Sequence, residues 1–294
     1  MAHFRALCCA SLFSLAALAL PAKAQGACVL EPDQALELSA LPDTVAQEKS
    51  AACAAQNIED DMARKSAAAP RKSKLPEAAA ALIQHAKQFK VAYKRPDDAS
   101  DETLVLLHGS GGDETTLMPL AARVAPHAAL MGVAGRVTQE GTSRWYERIT
   151  PTSFDQNDIR TEAEAFAALL QDAVKAKKLD LTRTVFIGYS NGANLLGALA
   201  LLHPGLVERA VLLRPMPVLE AVPDADLGKS RFLTVVGAAD EIYAPYGPTL
   251  DAILRDRGAR VEAKTVKAGH LLGDEDVKVV AEWLAASDAV SLNK

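Results

Sequence analysis

Val185-Phe186-Ile187-Gly188-Tyr189-Ser190-Asn191-Gly192-Ala193-Asn194 is the stretch that decides how this chain folds. A run of apolar β-formers passes straight into an Ala/Leu-rich helix over residues 193–202. A serine stands at the joint, with glycine two places to either side. This is the G-x-S-x-G pattern of a nucleophile elbow, in the strand–turn–helix setting that the pattern requires. The helix must leave close to the strand, so the turn has no room for side chains at the flanking positions, and glycine at 188 and 192 removes those Cβ atoms. Ser190 is then expected on a strained corner, its hydroxyl exposed and a helix N-terminus behind it. A Gly-Ser-Gly turn without chemistry is the plainer alternative for the stretch taken alone.

Outward from the elbow the pattern is regular. Strands are predicted at 103–108, 128–133, 184–189, 209–214, 232–237 and 260–266, with a short edge strand at 91–93. Helices are predicted at 116–124, 159–177, 192–203, 247–258 and 274–286, and another from Pro76 through 77–89. Alternation of this kind implies an α/β domain over 76–294, with a mostly parallel central sheet and helices on both faces. Ligands bind such sheets beyond the carboxyl ends of the strands.

A serine hydroxyl is a weak nucleophile and needs a base, and the base needs a group to fix its tautomer. The strand at 232–237 runs into Gly237-Ala238-Ala239-Asp240, and the strand at 260–266 into Lys267-Ala268-Gly269-His270. The order Ser190, Asp240, His270 is that of an α/β-hydrolase triad. His85 and His203 fall in or at the end of predicted helices, His127 precedes a strand, and His108 precedes the serine, where a structural role suits it better. Glu241, Asp274 and Glu275 are rival acids, and Asp240 has the better position. The strand at 103–107 ends in His108-Gly109-Ser110-Gly111-Gly112-Asp113-Glu114. No Lys-Ser/Thr follows these glycines, which argues against a P-loop. The loop suits an oxyanion hole instead, built from the backbone N–H groups of Ser110 and Asn191.

The first residues read as an export signal. Residues 6–20 are almost wholly apolar after a short polar start, Pro21 ends the run, and Ala22-Lys23-Ala24 offers small residues to a signal peptidase. The run is shorter than the roughly 20 residues of a membrane span. Cleavage of 1–24 is expected; an uncleaved anchor and a lipoprotein on Cys28 are the alternatives, the latter weakened by Gln25. Cys8 and Cys9 leave with the signal, so Cys28 and Cys53 remain as an even pair. In an oxidising compartment such a pair is expected to form one disulfide, against two free thiols in an arm. No histidines lie near enough to suggest a metal site there. Residues 25–75 are expected to form a helical N-terminal extension ending in a linker at 66–74. The formal net charge of −5 argues against a nucleic-acid partner.

The stretch from about residue 104 to 284 resembles the carboxylesterase/phospholipase branch of the α/β-hydrolase superfamily. The resemblance rests on the Ser110 glycine loop, Gly188 to Asn194, Leu213-Arg214-Pro215-Met216, Gly237 to Asp240, and Gly269-His270. The Gly-Tyr-Ser-Asn-Gly-Ala-Asn and Arg-Pro-Met pieces are similar to a small bacterial subgroup linked to quinone stress. The resemblance implies the α/β-hydrolase fold and serine esterase activity on small acyl or aryl esters, with no metal or cofactor. It also implies an Arg/aromatic cluster near the substrate, which falls here in the long loop at 135–158. Trp145 and Tyr146 are expected to line the pocket there, and Arg144 or Arg148 to meet a polar or anionic substrate group; plain packing of the loop is the alternative. Arg214 and Met216 are expected near the same rim. Lysophospholipase, thioesterase, peptidase and acyl-transferase chemistry share the triad, and a secreted binding protein on the same scaffold is the non-catalytic alternative. An aromatic content of 5% leaves little for the large apolar lid of a long-chain lipase.

Overall fold

Leu104-Val105-Leu106-Leu107 and Val185-Phe186-Ile187 are apolar at every position, and such strands are stable only where both faces are covered. The computed structural model describes residues 83–85 and 88–291, with side chains described over 88–286. The elements in chain order are β1 (Ile83–His85), β2 (Lys90–Lys94), β3 (Thr103–Leu107), α1 (Met118–Val124), β4 (Ala129–Ala134), β5 (Val137–Gln139) and β6 (Thr142–Arg144). There follow β7 (Arg148–Thr150), β8 (Ser153–Phe154), α2 (Gln156–Lys175), β9 (Thr184–Tyr189), α3 (Asn191–Leu202) and β10 (Arg209–Leu213). The last are β11 (Arg231–Gly237), α4 (Gly247–Asp256), β12 (Arg260–Val266) and α5 (Asp274–Ser291).

Seven strands form the central sheet in the order β12-β11-β10-β9-β3-β4-β2. All neighbours are parallel except β2, which runs antiparallel along β4. Successive side chains point to opposite faces. Leu104, Leu106, Val185, Ile187, Val211, Leu213, Leu233 and Val235 therefore pack on one side with α1 and α5, around Ala121, Val280 and Trp283. Val105, Leu107, Phe186, Ala210, Leu212 and Phe232 pack on the other with α2, α3 and α4. α3 is buried along nearly its whole length, so its apolar residues run all round the helix rather than along one stripe.

The elbow depends on close approach. A Cβ on Gly192 would lie 2.4 Å from the Leu107 carbonyl oxygen, and one on Gly188 would lie 2.7 Å from the backbone of Ala193. No non-glycine residue fits at either position without moving backbone. The crossing of β9, α3 and the end of β3 thus brings Ser190 beside the glycine loop.

The fold departs from the sequence expectation in three places. Residues 83–85, expected in a helix, form β1 and pair antiparallel with β5. Strand pairing supplies partners for the open edge of β5, and that tertiary gain outweighs helix propensity, a weak local preference. The expected loop at 135–158 contains two hairpins, β5–β6 and β7–β8. The first turns at Glu140 (φ 50°) and Gly141 (φ 76°), the positive-φ pair of a two-residue hairpin. α2 starts at Gln156, three residues earlier than expected, because the Asp155 carboxylate accepts the N–H groups of Asn157 and Asp158. The expected Cys28–Cys53 bridge, the extension over 25–75 and the signal over 1–24 lie outside the described residues. Among the described residues, no helix is long and apolar enough to cross a membrane.

Candidate active site

β9 delivers Ser190 at φ 49°, ψ −113°, a conformation that costs a non-glycine residue on the order of 1–3 kcal/mol. The surroundings hold it there. The Ser190 N–H donates to the Leu213 carbonyl at 2.8 Å, and its own carbonyl accepts the Asn194 N–H at 2.9 Å. Its side chain does not cap α3, so the hydroxyl is free to turn towards a base.

Facing the hydroxyl is His270, on the loop between β12 and α5. Its Nε2 lies 2.9 Å from Ser190 Oγ, and its Nδ1 lies 2.6 Å from Asp240 Oδ2. A carboxylate only accepts, so Nδ1 carries the proton and Nε2 presents its lone pair to the serine hydroxyl. The Asp240 side chain is 5% exposed and that of His270 31%. The second oxygen, Asp240 Oδ1, accepts the Tyr243 N–H at 3.2 Å. Tyr189 and Tyr243 flank the imidazole, with ring centroids at 5.5 and 4.8 Å, and the Tyr189 hydroxyl donates to the His270 carbonyl at 3.1 Å. Burial raises the Tyr189 pKa and keeps it a neutral donor. Glu241, the rival acid next in sequence, is exposed.

The sequence did not foretell how the histidine loop is fixed. Arg214, with φ 54°, is fully buried and makes a bidentate pair with Asp276 at 2.8 and 3.0 Å. Its Nε also donates to the Gly269 carbonyl at 2.8 Å, and Nη2 to the Leu271 carbonyl at 3.2 Å. The guanidinium therefore holds the backbone on both sides of His270. Asp276, in the first turn of α5, also accepts the Gly273 N–H at 2.8 Å. Asp276→Asn leaves a buried guanidinium without its counter-charge. The expected result is a loss of about 3–5 kcal/mol in stability, seen as a lower Tm, together with a fall in kcat larger than any change in KM.

Ser110 follows β3 on the glycine loop. The Gly111 N–H donates to the Ser143 carbonyl at 2.8 Å, and Arg144 Nη1 donates to Ser110 Oγ at 2.9 Å. These two bonds fasten the loop to β6. Asn191 is the first residue of α3, where backbone N–H groups have no partner within the helix. Its side chain is occupied, since Oδ1 accepts the Trp145 N–H at 2.7 Å. His108, 1% exposed, is a bracket under the loop: Nδ1–H donates to the Gly109 carbonyl at 2.6 Å and Nε2 accepts the Gly135 N–H at 2.9 Å. Burial depresses its pKa, which suits this neutral form.

A small cavity opens beside Ser190, lined in part by Ser110, Arg144, Arg148, Met216 and Tyr243. Arg148 and Met216 thus line this cavity. Trp145 and Tyr146 do not: both are fully buried. The Trp145 indole N–H donates to the His108 carbonyl at 2.9 Å, and its ring packs on Phe89, His108 and Phe166. The Tyr146 hydroxyl accepts from Asn194 Nδ2 at 3.1 Å, and its ring meets Phe154 edge-on. The aromatic pair pins the hairpin segment to the core, because each ring has both apolar neighbours and a partner for its polar atom. Among the described residues no cluster of His, Cys, Asp and Glu could hold a metal ion.

Residues 89–286 match the family described as Phospholipase/Carboxylesterase. MhqD of Bacillus subtilis (strain 168), named as a hydrolase, is 29% identical over 185 residues, covering 63% of this chain and 92% of that protein. A carboxylesterase structure from Mesorhizobium loti is 48% identical with a TM-score of 0.66, covering 69% of this chain and 99% of that one. The Bacillus cereus carboxylesterase structure is 31% identical with a TM-score of 0.63, covering 67% and 93%.

Proposed function

The chain belongs to the phospholipase/carboxylesterase family of α/β-hydrolases, and we propose that this ester hydrolase is an exported serine esterase acting on small acyl or aryl esters. One observation carries the chemistry: the unbroken relay from Ser190 Oγ to His270 at 2.9 Å and from His270 to Asp240 at 2.6 Å. His270 Nε2 takes the hydroxyl proton as Ser190 Oγ attacks the ester carbonyl. The tetrahedral oxyanion accepts the backbone N–H groups of Ser110 and Asn191, each worth on the order of a hundred- to thousand-fold in rate. His270 then gives its proton to the leaving alcohol oxygen, and the ester C–O bond breaks to leave an acyl-enzyme. His270 then takes a proton from a water that attacks the acyl carbon, and passes it to Ser190 Oγ as the acyl–Oγ bond breaks and the carboxylic acid leaves. Asp240 keeps the imidazole oriented and offsets its transient positive charge throughout. Export is supported by the apolar run at 6–20 and the small residues at 22–24, and the Cys28–Cys53 disulfide belongs to the same proposal.

The small cavity and the absence of a large aromatic complement favour short acyl groups over lysophospholipid. A panel of p-nitrophenyl esters of increasing acyl length, with lysophosphatidylcholine and an acyl thioester beside it, tests this. Turnover should be highest with the shortest acyl groups and fall as the chain lengthens. Preference for the lysophospholipid or the thioester would replace the esterase assignment with one of those.

A further inference from the structure

The wall of the cavity beside Ser190 carries more positive charge than the proposed triad uses. Every side chain lining it is neutral or basic, and three are arginines: Arg144, Arg148 and Arg214. Arg214 is neutralised by Asp276. Among the described residues, neither Arg144 nor Arg148 has an ion-pair partner. Arg144 is the more telling. It is 7% exposed, its one side-chain hydrogen bond among the described residues runs to the neutral Ser110 hydroxyl, and its Nε is buried without a hydrogen-bond partner. Burial first, and then the charge of Arg148, pull its pKa below the ordinary arginine value. Glu140, Tyr146 and Tyr243 act on it only through space. Two neighbouring guanidinium groups, one buried and one half-buried, with no carboxylate between them, are a costly arrangement for a fold to keep. A carboxylate entering the cavity would supply the missing charge and acceptors, and guanidinium geometry is matched to it.

We propose that Arg144 and Arg148 form an anion subsite beside Ser190, and that the substrates are esters carrying a free carboxylate a few bonds from the scissile carbonyl. This rests on the serine esterase reading of Ser190 and names its substrate class. Arg144 also bonds Ser110, so the subsite adjoins the loop that supplies an oxyanion donor. Binding the carboxylate there orients the ester across the hole. Arg144 is a buried part of that loop's support, whereas Arg148 is half-buried on β7, so the two can be tested separately.

The test compares charged and neutral esters of matched size. On the acyl side, mono-p-nitrophenyl succinate is set against p-nitrophenyl valerate; on the alcohol side, 4-acetoxybenzoate against 4-methylphenyl acetate. In at least one arm the charged ester should have a kcat/KM roughly ten- to hundred-fold above its neutral partner, the range expected for hydrogen bonds to a charged group. The arm that responds identifies which half of the ester bears the anion. Arg148→Gln and Arg144→Gln should each reduce that ratio by about ten-fold, with Arg148→Lys intermediate. Using the ratio removes any general loss of folded enzyme, and Arg148→Gln serves alone if Arg144→Gln fails to fold. Turnover of neutral esters with no preference for charged ones in either arm overturns the subsite alone. A preference that survives in Arg148→Gln also overturns it. Turnover of no ester at all overturns the esterase reading instead.

Discussion

Replacing Ser190 with alanine is expected to cut ester turnover by on the order of ten thousand- to a million-fold while leaving the fold intact. The size follows from the role: without the hydroxyl no acyl-enzyme forms, and only binding and the oxyanion donors remain. The intact fold follows from the local contacts. The Ser190 side chain makes no cap on α3, and its bond to His270 lies at a half-buried surface. The backbone bonds to Leu213 and Asn194 persist in the variant. Hydrolysis of p-nitrophenyl acetate by the purified variant, with its Tm beside that of the parent, checks both halves. Turnover near the parent rate would remove Ser190 from the chemistry.

Asp240→Asn is expected to lower kcat by on the order of ten thousand-fold, although its shape is nearly unchanged. Asp240 Oδ1 accepts the Tyr243 N–H, and Oδ2 accepts from His270. An asparagine has one oxygen and one NH₂ for these two places. With its oxygen on the Tyr243 N–H, its NH₂ faces Nδ1 of the imidazole. That favours the tautomer protonated on Nε2, which cannot take the serine proton. A Tm close to that of the parent, with kcat lost, is the expected outcome. A loss of less than ten-fold would point to another acid as the partner of His270.

The parts of the fold that were legible in the sequence are those in which local pattern and burial agree. β3, β9 and β10 are continuous apolar runs because the sheet is covered on both faces, and their predicted limits lie within a residue of those observed. Ser190, Asp240 and His270 stood out because each comes shortly after the end of a predicted strand, and the parallel order places those ends together. Met216 lines the cavity beside Ser190 because the chain leaves β10 at the same edge of the sheet. What could not be read depends on partners far away in sequence. Arg214 and Asp276 are 62 residues apart, and an Arg-Pro-Met run after a strand looks the same whether the arginine faces substrate or is buried beneath the histidine loop. Trp145 and Tyr146 were expected at a pocket because the resemblance implies an Arg/aromatic cluster there, with plain packing of the loop as the alternative. Their indole and hydroxyl groups instead find partners at His108 and Asn194, which lets both rings enter the core. The first hairpin was missed because Glu140-Gly141 is a weaker turn signal than Asn-Gly. β1 was missed because only the edge of β5 calls for it.

The same clamp links stability to function in a way that the triad alone does not. His270 sits on a loop tied to Arg214, which is tied in turn to the start of α5. The His270 ring is therefore only as well placed as the buried ion pair between the residue that follows β10 and the first turn of α5. Loop residues held in this manner can keep catalytic geometry without regular structure of their own.

The central claim is that Ser190 is an activated nucleophile. Reaction of the folded protein with a fluorophosphonate probe, followed by peptide mass mapping, tests it most directly. One covalent adduct is expected, on Ser190, forming far more slowly in Asp240→Asn and not at all in Ser190→Ala. A folded protein that takes up no probe, or takes it up on another residue, would contradict the account and favour a binding protein built on a hydrolase scaffold.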